Sequence, residues 1–319
     1  MNKKNLTVIV VLVIAVILLI IVMDFSKNRP GKLGENPYAY DVDEFVTVDP
    51  SWIHYKETRN IPLKNRQCTG FDIFENEIYI VGEQFLQVIT TDGRQKLFRE
   101  LEAIPTCIKA EHDKLYIGFE RFLQLFDHEG NKLASWEELG EKTVITSVAV
   151  KGEYIYVADA GNRRVVIYDS SGVVKHEFEG KSTSEAGHGF IVPSPNFDLV
   201  VNNYGELWVV NPGKHAIENY TDDGEMRGFW QGSSMSVEGF TGCCNPAEIA
   251  VMEDGSFVTS EKGLVRIKIY DPSGRLKSVV APPDKFKEEG RAPEVDTDET
   301  GIIYALDFDK MMIRIFEPK

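Results

Sequence analysis

One stretch of the sequence, residues 157–172, limits the possible folds more than any other. It reads VADAGNRRVVIYDSSG: an apolar run ends at Asp159, the polar corner 160–163 reverses the chain, and a second strand-like run ends in another polar turn. Glycine, asparagine and aspartate accept the backbone conformations that tight turns need. The stretch therefore predicts two neighbouring strands of an antiparallel meander.

The closing turn of this stretch recurs along the chain. Its copies end at Gly93, Gly130, Gly172, Gly224 and Gly274, and a truncated copy closes the sequence at residues 316–318. Successive glycines are 37, 42, 52 and 50 residues apart. A period of about 40 to 50 residues, with about four strands in each unit, is typical of a β-propeller.

Residues 157–167 also resemble the NHL repeat, whose consensus runs close to V-A-D-x-x-N-x-R-V-x-V-F. The matching residues are Val157, Ala158, Asp159, Asn162, Arg164, Val165 and Ile167. In the other units this corner has drifted, for example to residues 82–85 and 261–264. The resemblance implies an NHL-like or TolB-like propeller of the membrane-anchored bacterial type, and it implies a fold more than an activity.

The number of blades depends on how the ring closes. The last repeat begins at Glu294 and lacks room for a fourth strand, whereas residues 44–64 precede the first full repeat and include the strand-like runs 45–48 and 52–55. If this N-terminal segment completes the last blade, no sheet edge stays open. We therefore predict an all-β fold, a six-bladed β-propeller over residues 44–319 that is closed by its N-terminal strand.

The N-terminal region has a different composition. Residues 6–23 are an uncharged apolar run, which is long enough for a bilayer core and is followed by no cleavage site. We predict a cytoplasmic tail at 1–5, a transmembrane signal anchor at 6–23 and a linker at 24–43. A short N-terminal tail usually stays in the cytoplasm, so the propeller is expected to be periplasmic or extracellular.

Charge and loop length limit the partners. The formal net charge of −15 argues against nucleic acid as a partner. Two long connections, residues 180–195 and 231–242, would emerge on the same face of the disc, and loops on a rigid scaffold commonly carry binding sites. We expect a protein, peptide or carbohydrate ligand on this loop-rich face, and the membrane as the partner of the N-terminal helix.

All four cysteines lie just before, or at the start of, a predicted innermost strand. Cys68, Cys107, Cys243 and Cys244 are therefore expected near one mouth of the central channel, together with His188 of the first long loop. One interpretation is a thiolate-bound metal or a redox pair. The alternatives are disulfides, either Cys243–Cys244 or Cys68–Cys107, and small buried thiols.

Three acids occupy equivalent inner-strand positions in the last three blades: Asp198, Glu248 and Glu294. They could hold Ca²⁺ if Asn245 or Asn196 supplied a neutral oxygen. This arrangement resembles the channel-end calcium site of lactonase-type six-bladed propellers. The alternative is that each carboxylate accepts hydrogen bonds from nearby backbone amides.

Two classes of function remain after these observations. The first is a membrane-anchored binding scaffold that uses the loop-rich channel face. The second is a metal-dependent or disulfide-dependent enzyme, or a redox accessory protein, with unknown catalytic residues. The sequence contains no P-loop, G-x-S-x-G, H-E-x-x-H or dinucleotide-binding motif. The histidines do not form the set that binds zinc in amidating-lyase propellers.

Overall fold

A computed structural model describes residues 3–27, 43–63, 67–181 and 189–319 of the chain. The chain divides into two units, Met1–Glu44 and Phe45–Lys319. The first unit contains helix α1 (Lys3–Lys27), and helix α2 (Asp43–Val46) lies at the boundary.

In helix α1 the side chains of residues 12–24 are all exposed, and the large apolar ones among them are at least half exposed. Within the described ranges, the helices do not reach the combination of length and hydropathy that a membrane crossing requires. The predicted transmembrane anchor is therefore not confirmed.

The second unit contains the strands β1 to β24. In chain order they are β1 (Tyr55–Pro62), β2 (Cys68–Phe74), β3 (Glu77–Gly82), β4 (Phe85–Thr90), β5 (Gln95–Glu100), β6 (Pro105–Ala110), β7 (Leu115–Phe119), β8 (Leu123–Phe126), β9 (Lys132–Ser135), β10 (Ile145–Lys151), β11 (Tyr154–Asp159) and β12 (Arg164–Asp169). The second half comprises β13 (Val174–Phe178), β14 (Leu199–Val201), β15 (Leu207–Asn211), β16 (Ala216–Tyr220), β17 (Met226–Gln231), β18 (Glu248–Val251), β19 (Phe257–Glu261), β20 (Arg266–Tyr270), β21 (Leu276–Ala281), β22 (Glu294–Thr297), β23 (Ile303–Asp307) and β24 (Met312–Pro318).

These strands form six four-stranded antiparallel sheets, which confirms the six-bladed propeller. Blades 1 to 5 each use four consecutive strands, from β2–β5 to β18–β21. Blade 6 has the order β1-β24-β23-β22, so its outermost strand comes from the N-terminal side of the unit. The pairing runs from Tyr55 opposite Pro318 to Pro62 opposite Met312.

The segment before β1 differs from the expected strand at residues 45–48. Residues 43–46 are helical, and a 3₁₀ turn follows at Pro50–Trp52. The Asp49 carboxylate accepts a hydrogen bond of 2.9 Å from the backbone N–H of Ser51 and so caps that turn. This cap and Pro50 turn the chain away from an extended path.

The hydrophobic core is divided among the gaps between blades. Each of six clusters of buried side chains joins one pair of neighbouring blades; one combines residues of β2–β4 with residues of β23 and β24. Central strands such as β7, β19 and β20 are buried at every residue because a blade packs on both of their faces. The outermost strand β5 is mostly exposed.

The corner that resembles the NHL repeat is held by one buried carboxylate. Asp159 is fully buried and accepts hydrogen bonds from the backbone N–H of Val144 and of Asn162, and from the side chains of Thr143, Asn162 and Arg164. Arg164 also forms a salt bridge with the exposed Glu177 of β13. Asp159 and Arg164, which match the Asp and Arg of the repeat, therefore stabilise the turn between β11 and β12.

Candidate binding channel

The innermost strands of all six blades surround a central channel, in which the described residues line an inner cavity and a mouth cavity. The inner cavity has a volume of about 250 Å³ and is lined by residues such as Asp72, Cys107, Lys109, Asp198 and Asp296. The mouth cavity, of about 380 Å³, lies where the innermost strands begin. Thr146, Glu248 and Glu294 line both cavities, so these two glutamates lie at the junction between the cavities.

Asp198 and Glu248 lie on the adjacent strands of blades 4 and 5. The Asp198 carboxylate accepts hydrogen bonds of 2.8 Å from the backbone N–H groups of Leu199 and Ile249. The Glu248 carboxyl group lies close enough to Asp198 for each of the two acids to change the pKa of the other. Burial raises the pKa of Asp198 to about 6.

Glu294 completes the group from blade 6. Its carboxylate accepts a hydrogen bond of 3.1 Å from the backbone N–H of Phe71 in blade 1. Burial, followed by the negative charges of Glu248 and Asp198, raises the pKa of Glu294 well above its usual range. Burial, followed by the negative charge of Asp198, likewise raises the pKa of Glu248 well above its usual range. Burial and mutual repulsion of the three carboxyl groups therefore favour protonation of the acids or a cation beside them.

The hydrogen bonds of the acids agree with the alternative interpretation, in which backbone amides donate to the carboxylates. Asp198 and Glu294 tie neighbouring blades together through backbone amides, as the alternative interpretation predicted. Asn245 does not join them, because its side-chain amide bonds to the backbone of Thr241 and Lys262. Asn196 does approach, and its amide donates to Glu248 over 3.4 Å. Among the described residues, no group of three or more His, Cys, Asp and Glu side chains that could hold a metal ion is found.

A second charged group lies deeper in the inner cavity. Lys109 forms a salt bridge of 2.9 Å with Asp72. The other carboxylate oxygen of Asp72 accepts a hydrogen bond from the backbone N–H of Ala110. Asp296 accepts the backbone N–H of Ile73 across the junction of blades 6 and 1. Burial and the charge of Asp72 raise the pKa of Asp296 to about 7, although Lys109 opposes the shift.

Two cationic side chains stand at the mouth cavity. Lys262 follows β19, and its ammonium group donates a hydrogen bond of 2.8 Å to the Ser194 hydroxyl. Arg291 precedes β22, and its guanidinium lies 4.1 Å from the centre of the Phe308 ring. Arg291 also acts electrostatically on Glu248. The mouth therefore presents positive groups at the rim and carboxyl groups below them.

Cys68 and Cys107 are buried in different hydrophobic clusters. Cys68 belongs to the cluster between blades 6 and 1, and Cys107 to the cluster between blades 2 and 3. Cys107 is a thiol, so the predicted Cys68–Cys107 disulfide is not formed. Burial raises the pKa of each of these two thiols to about 12. Both residues fit the interpretation as small buried side chains.

Cys243 and Cys244 are a different pair. Both are thiols with sulfur atoms 3.3 Å apart, so they do not form the predicted disulfide here. Cys244 is buried, and Cys243 is exposed. Burial raises the pKa of Cys244, but hydrogen bonds with Lys262, Cys243 and Ser194 outweigh burial and lower it. The hydrogen bond with Cys244 raises the pKa of Cys243.

The two long loops are described to different extents. His188 and the other residues at 182–188 lie outside the described residues. The second loop is held by two buried cations, because Arg266 and Lys268 bond to the backbone oxygen of Gly239 and to the buried Glu261. Burial lowers the pKa of Lys268 to about 8. This clamp was not predicted from the sequence, although the alternation of charged and apolar residues in RIKIY was a signal for it.

The chain is thus a six-bladed β-propeller with a charged central channel. No protein-family model matches it, and no curated protein matches it in sequence. A streptogramin B lyase structure is similar in fold, with a TM-score of 0.60 and 10% identity over 85% of this chain and 100% of that one. Virginiamycin B lyase from Staphylococcus aureus gives a TM-score of 0.59 and 12% identity over 83% and 100% of the two chains.

A Bacteroides thetaiotaomicron protein of unknown function is similar as well. Its TM-score is 0.60 with 13% identity, over 83% of this chain and 72% of that one. At such identities the similarity establishes the propeller fold and leaves the activity to the residues of the site.

Proposed function

We propose that this propeller is a binding protein that holds a positively charged group of its ligand in the channel mouth. The observation that carries the proposal is the convergence of three acids: Glu248 and Glu294 line both cavities, and Asp198 lines the inner cavity beside them. Each of the three carboxyl groups has a pKa raised by burial, and in Glu248 and Glu294 their mutual repulsion adds to the shift. A ligand ammonium group placed there would relieve that repulsion.

The rim supports a ligand with polar or anionic groups next to the cationic one. Lys262 and Arg291 are held in place by Ser194 and by the Phe308 ring, so their charges are positioned before a ligand arrives. An amino sugar or the amino-terminal part of a peptide combines these features. Both belong to the carbohydrate and peptide ligands that the loop-rich face predicts.

The test measures binding of two probes, glucosamine and the peptide Lys-Gly-Gly, to the full chain by calorimetry at pH 7.5. We expect at least one probe to bind, and we expect the variants Glu248→Gln and Glu294→Gln to weaken its binding tenfold or more. Glu253→Gln is the matched control, because Glu253 is an exposed acid of the same blade. Absence of binding by both probes, or binding that neither channel variant weakens, would refute the proposal.

A lyase activity is the second candidate, and it rests on the similar folds. One of the similar structures is a catalytically inactive variant of virginiamycin B lyase, with one histidine replaced by alanine, bound to quinupristin. Among the described residues, the linings of the two channel cavities include no histidine. The binding proposal therefore has more support, and incubation of the full chain with quinupristin tests the alternative.

We also propose that the N-terminal segment attaches the chain to a membrane and that the propeller lies outside the cytoplasm. The exposed apolar side chains at residues 12–23 and the flanking lysines support this proposal. Carbonate extraction of membranes and protease accessibility in spheroplasts test the two parts separately. A chain found only in the soluble fraction would refute the attachment.

A further inference from the structure

Cys243 and Cys244 differ in access although they are neighbours. They lie in the irregular segment between the second long loop and β18, so no ladder hydrogen bonds hold their backbone. The Cys243 side chain is exposed, whereas Cys244 is 4% exposed and faces Lys262 and Ser194. An external reactant can therefore reach the first sulfur and not the second.

The surroundings of Cys244 favour a thiolate. The Lys262 ammonium, which also bonds to Ser194 over 2.8 Å, supplies a positive charge beside the buried sulfur. The thiol of Cys243 lies 3.3 Å from the Cys244 sulfur and can donate its proton to it. A thiolate next to a lysine is the reactive form of cysteine.

We propose that Cys243 and Cys244 form a thiol–disulfide exchange site for an external disulfide. Cys243 passes its proton to the neighbouring Cys244 thiolate and attacks one sulfur of the external disulfide as a thiolate, which forms a mixed disulfide. The departing sulfur takes that proton from Cys244 and leaves as a thiol, so Cys244 is again a thiolate. The Cys244 thiolate then attacks the Cys243 sulfur, which closes a Cys243–Cys244 disulfide and releases the second thiolate. The two protein sulfurs lose two electrons, and the external disulfide gains them.

The reaction would also change the channel mouth. Closing the disulfide removes the negative charge of Cys244, so the positive charge of Lys262 is no longer balanced by a thiolate and acts more strongly on the mouth cavity. A ligand ammonium group at Glu248 would then bind more weakly. This consequence rests on the proposed function, whereas the exchange reaction itself does not.

The exchange is tested on the reduced full chain with oxidised glutathione, followed by intact mass and peptide mapping. We expect the wild type to lose two hydrogens and to yield a peptide that joins Cys243 to Cys244. Cys244→Ser should stop with one glutathione on residue 243, and Cys243→Ser should not react. Cys68→Ala is the control and should behave as wild type. A stable glutathione adduct on the wild type, no reaction, or a product at another cysteine would overturn the proposal.

The role of Lys262 has a separate readout. Lys262→Met should slow closure of the second bond by about tenfold at pH 7, and a higher pH should restore the rate, because the loss of the charge disfavours the thiolate. A rate unchanged at every pH would overturn this role. If the oxidised wild type binds the cationic probes as tightly as the reduced form, the coupling to the channel is wrong while the exchange reaction stands.

Discussion

The buried carboxylate in the corner of blade 3 permits a quantitative test of what holds a propeller blade together. Asp159 is fully buried and receives hydrogen bonds from four residues, one of them a charged bond of 2.9 Å from Arg164. Asp159→Ala would leave the arginine, whose side chain is 16% exposed, without its buried partner. Breaking a buried ion pair costs about 3 to 5 kcal/mol of unfolding free energy.

The same arginine provides the control. Its second partner, Glu177, is 54% exposed, and an exposed pair contributes less than about 1 kcal/mol. We therefore expect Asp159→Ala to lower the Tm by on the order of 10 °C and Glu177→Ala to lower it by a few degrees at most. The loss of Tm caused by Asp159→Asn should lie between these two values, because asparagine retains one acceptor oxygen.

The assays on the full chain are thermal unfolding, which gives the Tm, and urea unfolding, which gives the free energy of unfolding; both are followed by tryptophan fluorescence and by circular dichroism. Coincident transitions with the two probes would show that the propeller unfolds as one unit. If Glu177→Ala lowers the free energy of unfolding as much as Asp159→Ala does, burial does not determine the strength of the two ion pairs of Arg164. If Asp159→Ala lowers the free energy of unfolding by less than about 1 kcal/mol, the hydrogen bonds of Asp159 do not stabilise the blade as proposed.

Two further predictions concern the channel and a turn. The folded-state pKa of Glu294 is raised, so its contribution to stability is present at low pH and is lost as pH rises through that value. The free energy of unfolding of Glu294→Gln should therefore equal that of the wild type near pH 4 and exceed it by on the order of 1 kcal/mol at pH 8. Urea unfolding at the two pH values measures this difference. The same pH dependence in both proteins would contradict the prediction. Gly161→Ala should lower the free energy of unfolding by about 2 kcal/mol or more, because the new Cβ would lie 1.8 Å from the Lys142 carbonyl oxygen. Gly228→Ala is the control: its Cβ would meet no atom within 4 Å, so it should change the free energy of unfolding by less than about 0.5 kcal/mol. Thermal unfolding compares the two glycine variants, and equal losses would mean that the close contact relaxes without cost.

The sequence predicts the architecture well because its signals are local and repeated. The turn glycines mark each blade, and the corner at Asp159 needs only residues within one hairpin and the preceding turn. The alignment of repeats also predicts that Asp198, Glu248 and Glu294 share one level of the channel. Equivalent positions in a ring of similar blades must face the same axis.

The remaining features depend on contacts that no repeat specifies. Lys262 and Arg291 lie outside the strands, in segments whose length differs from blade to blade, and their approach to the mouth follows from loop packing. The side-chain amide of Asn245, which was predicted to supply a neutral oxygen beside the acids, instead bonds to the backbone at Thr241 and Lys262. The buried clamp of Lys268 on the second long loop depends on the path of that loop.

The closure of blade 6 has a consequence for biosynthesis. Strand β1 is made early, yet its partner β24 is separated from it by more than 200 residues and by five complete blades. While those blades emerge from the ribosome, β1 has no sheet to join, and the ring cannot close until β24 has been made. The growing chain therefore carries an open strand edge through most of its synthesis, a state in which pairing with other chains is a hazard.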